Sequence, residues 1–403
     1  MVIFIKRTLL SCYNTFMEKF LIDLSILLVG AAFLAYLAVL CKQPIVIAYI
    51  LCGMIVGPWG FQIIKHVEFI ESISHLGITL LLFLAGLCLH PQKLLGLFRK
   101  TSLVTFINCL CSFLIAILFA LAFNFSLADS LCIALALMFS STILAVKLLP
   151  TTKLHQKRLG AVCISILIIQ DLLAIAVLVL IRSMSSPQGA MLSFFILLVK
   201  LCLFIGILAL IEHFILRKIM ARVDMMHELL FILGLAWCFG IASISNHMGL
   251  FYETGAFFAG VVMARHRISF FISEKLKPLR DFFLVLFFFS LGAQINIPIM
   301  LKIFPLALIL AALFATMKPW VFKKAFMWAG ESKPFSEEIG FRLGQLSEFS
   351  LLIALLAFEL GHITERASQL IQLTTILTFI ASSYIVVFKY PTPIGTSEEM
   401  IKD

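Results

Sequence analysis

Charged residues are scarce in this sequence of 403 residues: they make up 13% of the chain, whereas 62% of the residues are hydrophobic. The mean hydropathy of +1.11 lies far outside the range of water-soluble globular proteins. The ten cysteines form neither a CxxC pair nor a Cys/His spacing typical of metal ligands, so we expect no disulfide framework, no metal site and no cofactor. No GxGxxG or Walker pattern follows a predicted strand, and nothing in the sequence indicates an enzyme.

Long apolar runs dominate what is present, and glycine and proline interrupt them at only a handful of positions. A run of about 20 apolar residues is long enough for a helix to cross a bilayer. We therefore predict an all-α polytopic membrane protein. The thirteen predicted spans are residues 21–41, 45–57, 73–90, 102–124, 129–149, 160–182, 190–216, 228–247, 253–265, 280–296, 299–326, 337–361 and 367–389.

The basic residues indicate how these spans are oriented. With the boundaries above, 21 Lys and Arg residues fall on one side of the membrane and seven on the other. Cytoplasmic connections carry the excess of basic residues in membrane proteins. The N-terminus is therefore predicted outside and the C-terminus in the cytoplasm. We attribute the basic residues behind the net charge of +10 to the orientation of the spans in the membrane, and we expect no nucleic acid partner.

One acid lies in the middle of a predicted span, in the stretch ISILIIQDLLA that contains Asp171. An ionisable group at this depth costs about 2.5 to 3.5 kcal/mol and is a functional-site hypothesis by default. Few other charges lie inside spans, chiefly Glu348 and Lys318. For Lys318 the alternative is that its side chain extends to the membrane interface. Lys200 is interpreted as extending to the interface or as packing within its apolar helix.

Two predicted spans carry small and polar residues at mid-depth, where a helix is readily interrupted. They are Ser140, Ser141 and Thr142 in the fifth span and Gly344–Glu348 in the twelfth. Ordinary hydrogen bonding of Ser and Thr within a continuous helix is the alternative. If spans 1–6 and 8–13 are two repeats, each run lies in the fifth helix of its half. Interrupted helices at corresponding places indicate a transport site between inverted repeats.

Crossed, interrupted helices would bring together four helix ends that carry partial charges. We expect Lys318 to face the negative ends or Asp171. We expect Glu348, or the hydroxyl cluster of Ser140, Ser141 and Thr142, to face the positive ends.

Seven stretches of the sequence resemble the monovalent cation:proton antiporter-2 family, in particular the membrane part of Kef-type potassium efflux antiporters. Together they extend over nearly the whole chain. They are AYILCGMIVGPWG (48–60), LLLFLAGLCLHPQKL (80–94), LALMFSSTILAVKLL (135–149), LIIQDLLAIAVL (167–178), ETGAFFAGVVMA (253–264), LFFFSLGAQIN (286–296) and LGQLSEFSLLI (343–353).

The resemblance implies a sodium/hydrogen exchanger fold, a homodimer in a bacterial inner membrane, and elevator-type alternating access. It implies that the cation and the proton bind at Asp171. The further residues that it assigns to ion binding are Gln170, Thr142, Ser141 and Ser140. Those that it assigns to charge compensation or to the second interruption are Lys318, Gln345 and Glu348.

The sequence departs from the family pattern in two motifs. Residues 87–91 read LCLHP where the family has LELDP, and Ser382-Ser383 replaces a small-Pro pair. Relatives with a C-terminal nucleotide-binding domain extend well beyond position 403. We therefore expect a single transmembrane transporter domain over 1–403, with its membrane part at about 20–390, a short cytoplasmic tail at 390–403 and no regulatory nucleotide domain in cis.

These observations predict exchange of K⁺ or Na⁺ for protons, with both ions competing for Asp171. Position 170 holds an amide, where electrogenic relatives carry a second acid, which favours electroneutral exchange. Two alternatives stay open: a cation channel or leak pathway of the same fold, and a sodium-coupled solute symporter. No sequence pattern indicates whether K⁺ or Na⁺ is preferred, because ion selectivity depends on the geometry of the cavity.

Overall fold

A computed structural model describes residues 2–41, 43–64, 68–87, 91–147, 158–184, 190–223, 227–264, 266 and 269–392. Every regular element in these ranges is a helix. One of them is a π-helical turn, Glu212–Leu216. The α-helices are α1 Val2–Leu40, α2 Ile45–Val56, α3 Glu68–Leu87, α4 Pro91–Ala122, α5 Leu127–Leu137, α6 Thr142–Lys147, α7 Arg158–Met184, α8 Ala190–Ile211, α9 Arg217–Val223, α10 His227–His247, α11 Tyr252–Met263, α12 Ser269–Gln294, α13 Ile297–Trp328, α14 Lys333–Arg342, α15 Glu348–Glu359 and α16 Glu365–Lys389.

Seven of the described helices are long and apolar enough to cross a membrane. They lie within α1, α4, α7, α8–α9, α10, α13 and α16, and shorter apolar helices cover 45–56, 75–87 and 127–137. The all-α membrane fold is therefore confirmed. The number of thirteen spans and the inverted repeats stay predictions.

Both predicted interruptions are present. The first helix ends at Leu137 and resumes at Thr142, and the second ends at Arg342 and resumes at Glu348. Each restart has a hydroxyl beside it: Ser141 Oγ accepts from Leu144 N at 3.0 Å, and Ser347 Oγ accepts from Phe349 N at 3.1 Å. Because Ser is a favourable N-cap, these two residues help the helix to resume after each interruption.

Three predicted connections are helical instead. Helix α4 begins at Pro91, α9 covers Arg217–Val223 and α12 begins at Ser269, so the basic residues of 93–100, 217–222 and 275–280 lie on helices. Lys, Arg, Leu and Glu are good helix formers, and a helix does not have to end where the bilayer ends. The predictions for 88–90, 148–157, 265, 267 and 393–403 fall outside the described residues.

The chain divides into two compact units. The first comprises Met1–Gly77 and Asp281–Ile297. In it α2 crosses the end of α12 at two glycines. A Cβ on Gly53 would lie 2.0 Å from Phe289 O, and one on Gly292 would lie 2.0 Å from Ile50 O. The absence of side chains lets the two backbones touch, as is common between membrane helices.

The second unit comprises Ile78–Arg280 and Pro298–Asp403. It contains both interruptions, α7 and α13. A buried apolar cluster joins α4, α7, α13 and α14. Its members include Val104, Cys163, Leu167, Phe322 and Ile339. This packing fixes the helices that carry Asp171 and Lys318.

A second pair of glycines lies within this unit, where α3 crosses α11. A Cβ on Gly86 would lie 2.2 Å from Phe257 O, and one on Gly260 would lie 2.1 Å from Phe83 O.

We predict that Gly86→Ala destabilises the protein, because its methyl group has no room beside a backbone carbonyl. Overpacking of this kind costs about 1 to 3 kcal/mol. Thermal unfolding in detergent measures the change. Gly206→Ala on α8 is the matched control, since no atom lies within 4 Å of its added Cβ. Equal melting temperatures for the two variants would contradict the close crossing.

Candidate functional site

Two consecutive residues of α7 bind the first interruption. Gln170 Oε1 accepts from Ser140 N at 2.9 Å, and Thr142 Oγ1 donates to Asp171 Oδ1 at 3.2 Å and approaches Oδ2 at 3.4 Å. Asp171 is 4% exposed. The amide therefore satisfies a backbone N–H that the break sets free, and the carboxyl lies at the start of α6.

Lys318 contacts both interruptions. The residue is fully buried on α13, and its Nζ donates to Phe139 O at 2.6 Å and to Gln345 O at 3.4 Å. These carbonyls follow the ends of α5 and α14, where a helix carries negative partial charge. The side chain consequently lies against the two negative helix ends and does not extend to the membrane interface.

The residue after Lys318 sets this position. Pro319 packs against Gly340 on α14 and against Gly344 in the second break. A Cβ on Gly340 would lie 2.5 Å from Pro319 O, and one on Gly344 would lie 2.7 Å from Pro319 Cγ. Any larger residue at these glycines would push α13 away from the second break. The close approach therefore keeps Lys318 within reach of Gln345 O.

Gln345 joins the second break to its surroundings. Its Nε2 donates to Arg342 O at 3.0 Å and to Ser141 O at 3.5 Å, and its Oε1 accepts from Ser382 Oγ at 2.9 Å. Leu346 N donates to Thr378 Oγ1 at 3.2 Å. Sequence reasoning missed the role of Thr378 and saw Ser382 only as a departure from the family. The signal was the run of Ser and Thr along α16.

The two interruptions also bind each other. Besides the contact from Gln345 to Ser141 O, Ser350 Oγ donates to Ala136 O at 2.6 Å. This bond joins the first turn of α15 to the last turn of α5. The four helix segments therefore form one connected hydrogen-bonded group.

Glu348 is the first residue of α15 and is buried. A carboxylate is favoured at this end of a helix, where the partial charge is positive. Glu348 and Asp171 are close enough to interact electrostatically. The described site thus combines two acids, one lysine and several hydroxyls.

Three further residues lie close to this group. On α4, Cys109 Sγ accepts from Gln170 Nε2 at 3.8 Å and donates to Met138 O at 3.7 Å, and Asn108 Nδ2 donates to Lys318 O at 3.5 Å. Arg342 is buried, and it pairs with Glu338 and donates to Pro391 O at 3.0 Å. Sequence reasoning missed both residues, although Asn108 is a polar side chain in an apolar span.

The atoms around Asp171 are oxygen donors suited to a hard cation. Ser140 Oγ is buried and makes no hydrogen bond within the described part of the chain. Thr142 Oγ1 keeps lone pairs after donating to Asp171. Among the described residues no group of three His, Cys, Asp or Glu side chains is placed to hold a resident metal ion.

Comparison with known proteins identifies the family. The family described as "Sodium/hydrogen exchanger, transmembrane" matches residues 25–388. The chain belongs to the sodium/hydrogen exchanger family. Its members are cation:proton antiporters of membranes and not enzymes.

Curated proteins that the chain resembles have different names. It is 27% identical to Iron transporter MagA of Paramagnetospirillum magneticum, over 88% of this chain and 83% of that protein. It is 28% identical to K(+) efflux antiporter 5 of Arabidopsis thaliana, over 89% of this chain and 65% of the relative. It is 27% identical to the glutathione-regulated potassium-efflux protein KefC of Escherichia coli O6:H1, over 83% of this chain and 54% of the relative. The chain thus spans less than two thirds of the length of these two potassium efflux proteins.

A solved structure supports the fold. The sodium proton antiporter MjNhaP1 from Methanocaldococcus jannaschii matches with a TM-score of 0.64, covering 91% of this chain and 96% of its own. At 15% sequence identity the match concerns the fold alone.

We predict that Lys318→Met lowers the thermal stability of the exchanger. The substitution keeps the apolar stem but leaves Phe139 O and Gln345 O without the ammonium group, and a buried polar group left unsatisfied costs about 1 to 3 kcal/mol. Thermal unfolding in detergent is the measurement. Lys200→Met, a half-buried lysine in the apolar helix α8, serves as control. A melting temperature for Lys318→Met no lower than that of the control would contradict the bridging role.

Proposed function

We propose that this exchanger trades a monovalent cation for protons, and that the two compete for the carboxyl of Asp171. The contact that carries the proposal is the hydrogen bond from Thr142 to this buried acid at an interrupted helix. An acid at mid-membrane is costly, and it is retained where an ion or a proton uses it.

The competition follows from the chemistry of a carboxyl group. Ionised, Asp171 accepts a hydrogen bond from Thr142 and offers its remaining lone pairs to a cation. The hydroxyl oxygens of Thr142 and Ser140 complete part of the ligand shell in place of water. Once protonated, the carboxyl has lost the negative charge that binds the cation. A single group therefore holds either the metal ion or the proton, which couples their movements.

The neighbouring residues are proposed to balance the charges that do not move. Lys318 compensates the negative ends at Phe139 and Gln345, and Glu348 lies at the positive end of α15. Gln170 is neutral and holds Ser140 N. If only Asp171 changes its charge during the cycle, exchange is one-for-one and electroneutral. Deprotonation of Lys318 would add a second proton.

Access is proposed to alternate by an elevator-type movement in which the hydrogen-bonded group around both breaks moves as one body. Two features support the underlying inverted repeats. Each break lies in the fifth predicted span of its half. The crossing of α2 with α12 uses paired glycines, and so does the crossing of α3 with α11, which would be its counterpart in the other repeat.

The proposed cargo is K⁺ or Na⁺. The candidate ligands are the carboxylate of Asp171 and the hydroxyl oxygens of Thr142 and Ser140, which suit alkali ions better than softer metals. Two relatives are named for potassium efflux, and MjNhaP1 for sodium and protons. We also propose a homodimer in a bacterial inner membrane, with the N-terminus outside, and one transmembrane domain over 1–403.

We predict that Asp171→Asn abolishes cation-dependent proton movement in reconstituted vesicles that contain a pH-sensitive dye, because an amide neither titrates nor supplies a negative ligand. Asp129→Asn is the matched control, a second buried acid whose Oδ1 accepts from Thr364 N at 2.8 Å. This variant loses stability but retains exchange. Undiminished exchange in Asp171→Asn would overturn the mechanism. Cation flux that needs no proton gradient would identify a channel, and flux that requires an organic solute would identify a symporter.

We also predict a graded effect at Thr142. Thr142→Val removes both the hydrogen bond to the carboxylate and a ligand oxygen, and a hydrogen bond to a charged group contributes about 1.5 to 3 kcal/mol. The cation concentration for half-maximal exchange should therefore rise about 10-fold to 100-fold. Thr142→Ser retains the hydroxyl and stays close to the parent. Equal affinities in the Val and Ser variants would exclude the hydroxyl from the site.

A further inference from the structure

Helix α16 is buried along most of its length, yet most of the side chains on one half of its circumference are polar. The apolar side chains of Ile371, Ile376 and Phe379 share this half. At 100° per residue, the polar side chains follow one another from the first turn of the helix to the second break. They include Glu365, Ser368, Gln369, Gln372, Thr375, Thr378 and Ser382. From Glu365 to Ser382 the helix rises about 25 Å, nearly the thickness of a bilayer core. The last two residues hold the second break, whereas the first five have no role in it.

The two glutamine amides of this face have fixed orientations. Gln369 Nε2 donates to Glu365 Oε1 at 3.1 Å, and a carboxylate only accepts. Gln372 Nε2 donates to Ser368 Oγ at 3.1 Å, and that hydroxyl uses its own proton on Ala354 O. Reversing the Gln369 amide would place its oxygen against a carboxylate oxygen. Reversing the Gln372 amide would require the Ser368 hydroxyl to turn its proton away from Ala354 O. The nitrogen positions therefore agree with the bonding partners.

Both amide oxygens are left unused. Gln369 Oε1 and Gln372 Oε1 are buried and make no hydrogen bond within the described residues, although the side chains are only 4% and 6% exposed. Residues three apart on a helix have Cβ atoms about 5 to 6 Å from each other. A buried carbonyl oxygen without a partner is costly, and such atoms are normally satisfied by water or an ion.

The polar half of α16 offers acceptors beyond these two oxygens. Thr375 and Thr378 direct their hydroxyl protons to Ile371 O and Thr375 O, which leaves lone pairs on their oxygens. Glu365, half-exposed at the start of the helix, adds negative charge. A face whose spare atoms are oxygens attracts cations and the protons of water, and it disfavours anions.

We propose that Gln369 and Gln372 line a hydrated passage along α16, through which the monovalent cation travels between the Glu365 end of the helix and the second break. The passage rests on the proposed exchange function and adds a route to it. The amide oxygens replace part of the hydration shell of the passing ion, and Thr375 and Thr378 continue the same oxygen lining toward Leu346.

Exchange kinetics test the passage. Met is close to Gln in size but lacks its oxygen, so the double variant Gln369→Met with Gln372→Met removes two ligands and little volume. We expect its exchange rate at subsaturating K⁺ or Na⁺ to fall about tenfold, because nothing then compensates the lost hydration. Leu370→Met is the control, since Leu370 is fully buried on the opposite side of α16. A rate equal to that of Leu370→Met would overturn the passage.

Labelling provides a test that does not depend on transport. We expect Gln372→Cys to react with the small cationic reagent 2-aminoethyl methanethiosulfonate about tenfold faster than Leu370→Cys, because a buried apolar position gives a charged reagent no hydration. The mass of the peptide that contains the new cysteine is the readout. The same labelling is expected in Asp171→Asn. Equal rates at both positions would refute the passage even where exchange itself is intact, whereas loss of exchange in the parent with fast labelling at position 372 would refute the exchange function alone.

Discussion

The structure depends on one constraint, namely that backbone groups freed by a broken helix cannot be hydrated at membrane depth. An unsatisfied N–H or C=O in hydrocarbon costs several kcal/mol, so irregular backbone is tolerated there only where protein groups replace water. Because the second unit contains two interruptions, twice as many backbone groups need protein partners there. Their free groups are satisfied by side chains from α7, α13 and α16, together with Gln345 in the second break itself.

The same constraint explains the charge at the site. Helix ends carry about half an elementary charge each, and two negative ends face Lys318. Without a cation there, the carbonyls of Phe139 and Gln345 would lie together in a medium that screens poorly. Lys318 therefore has a structural role at these two helix ends. Its position depends on the packing of Pro319 against Gly340 of α14 and Gly344 of the second break, so helix packing places the ammonium group beside the two carbonyls.

Composition was enough to predict the all-α membrane fold. Both interruptions and the buried charges of α7 and α13 were predictable because polar, small or charged residues are unusual in the middle of an apolar span. The contacts of Thr378, Ser382, Asn108 and Cys109 were not predictable in the same way. A hydroxyl in a helix usually bonds to its own preceding turn, as Thr375 does, and nothing in the sequence shows which hydroxyl reaches a neighbour instead. The early starts of α4 and α12 were missed because hydropathy locates the bilayer and not the end of a helix.

Gln170 is a neutral residue beside Asp171, and its amide makes contacts that a second carboxylate could not make. Its oxygen accepts from Ser140 N while its nitrogen donates to Cys109 Sγ, so the amide uses both a donor and an acceptor. A carboxylate at this position could accept from Ser140 but could not donate to the thiol. It would also place a second negative charge beside Asp171, and like charges in an apolar setting are costly. The amide therefore holds the first break without titrating, which leaves Asp171 as the acid of α7 that can change its charge.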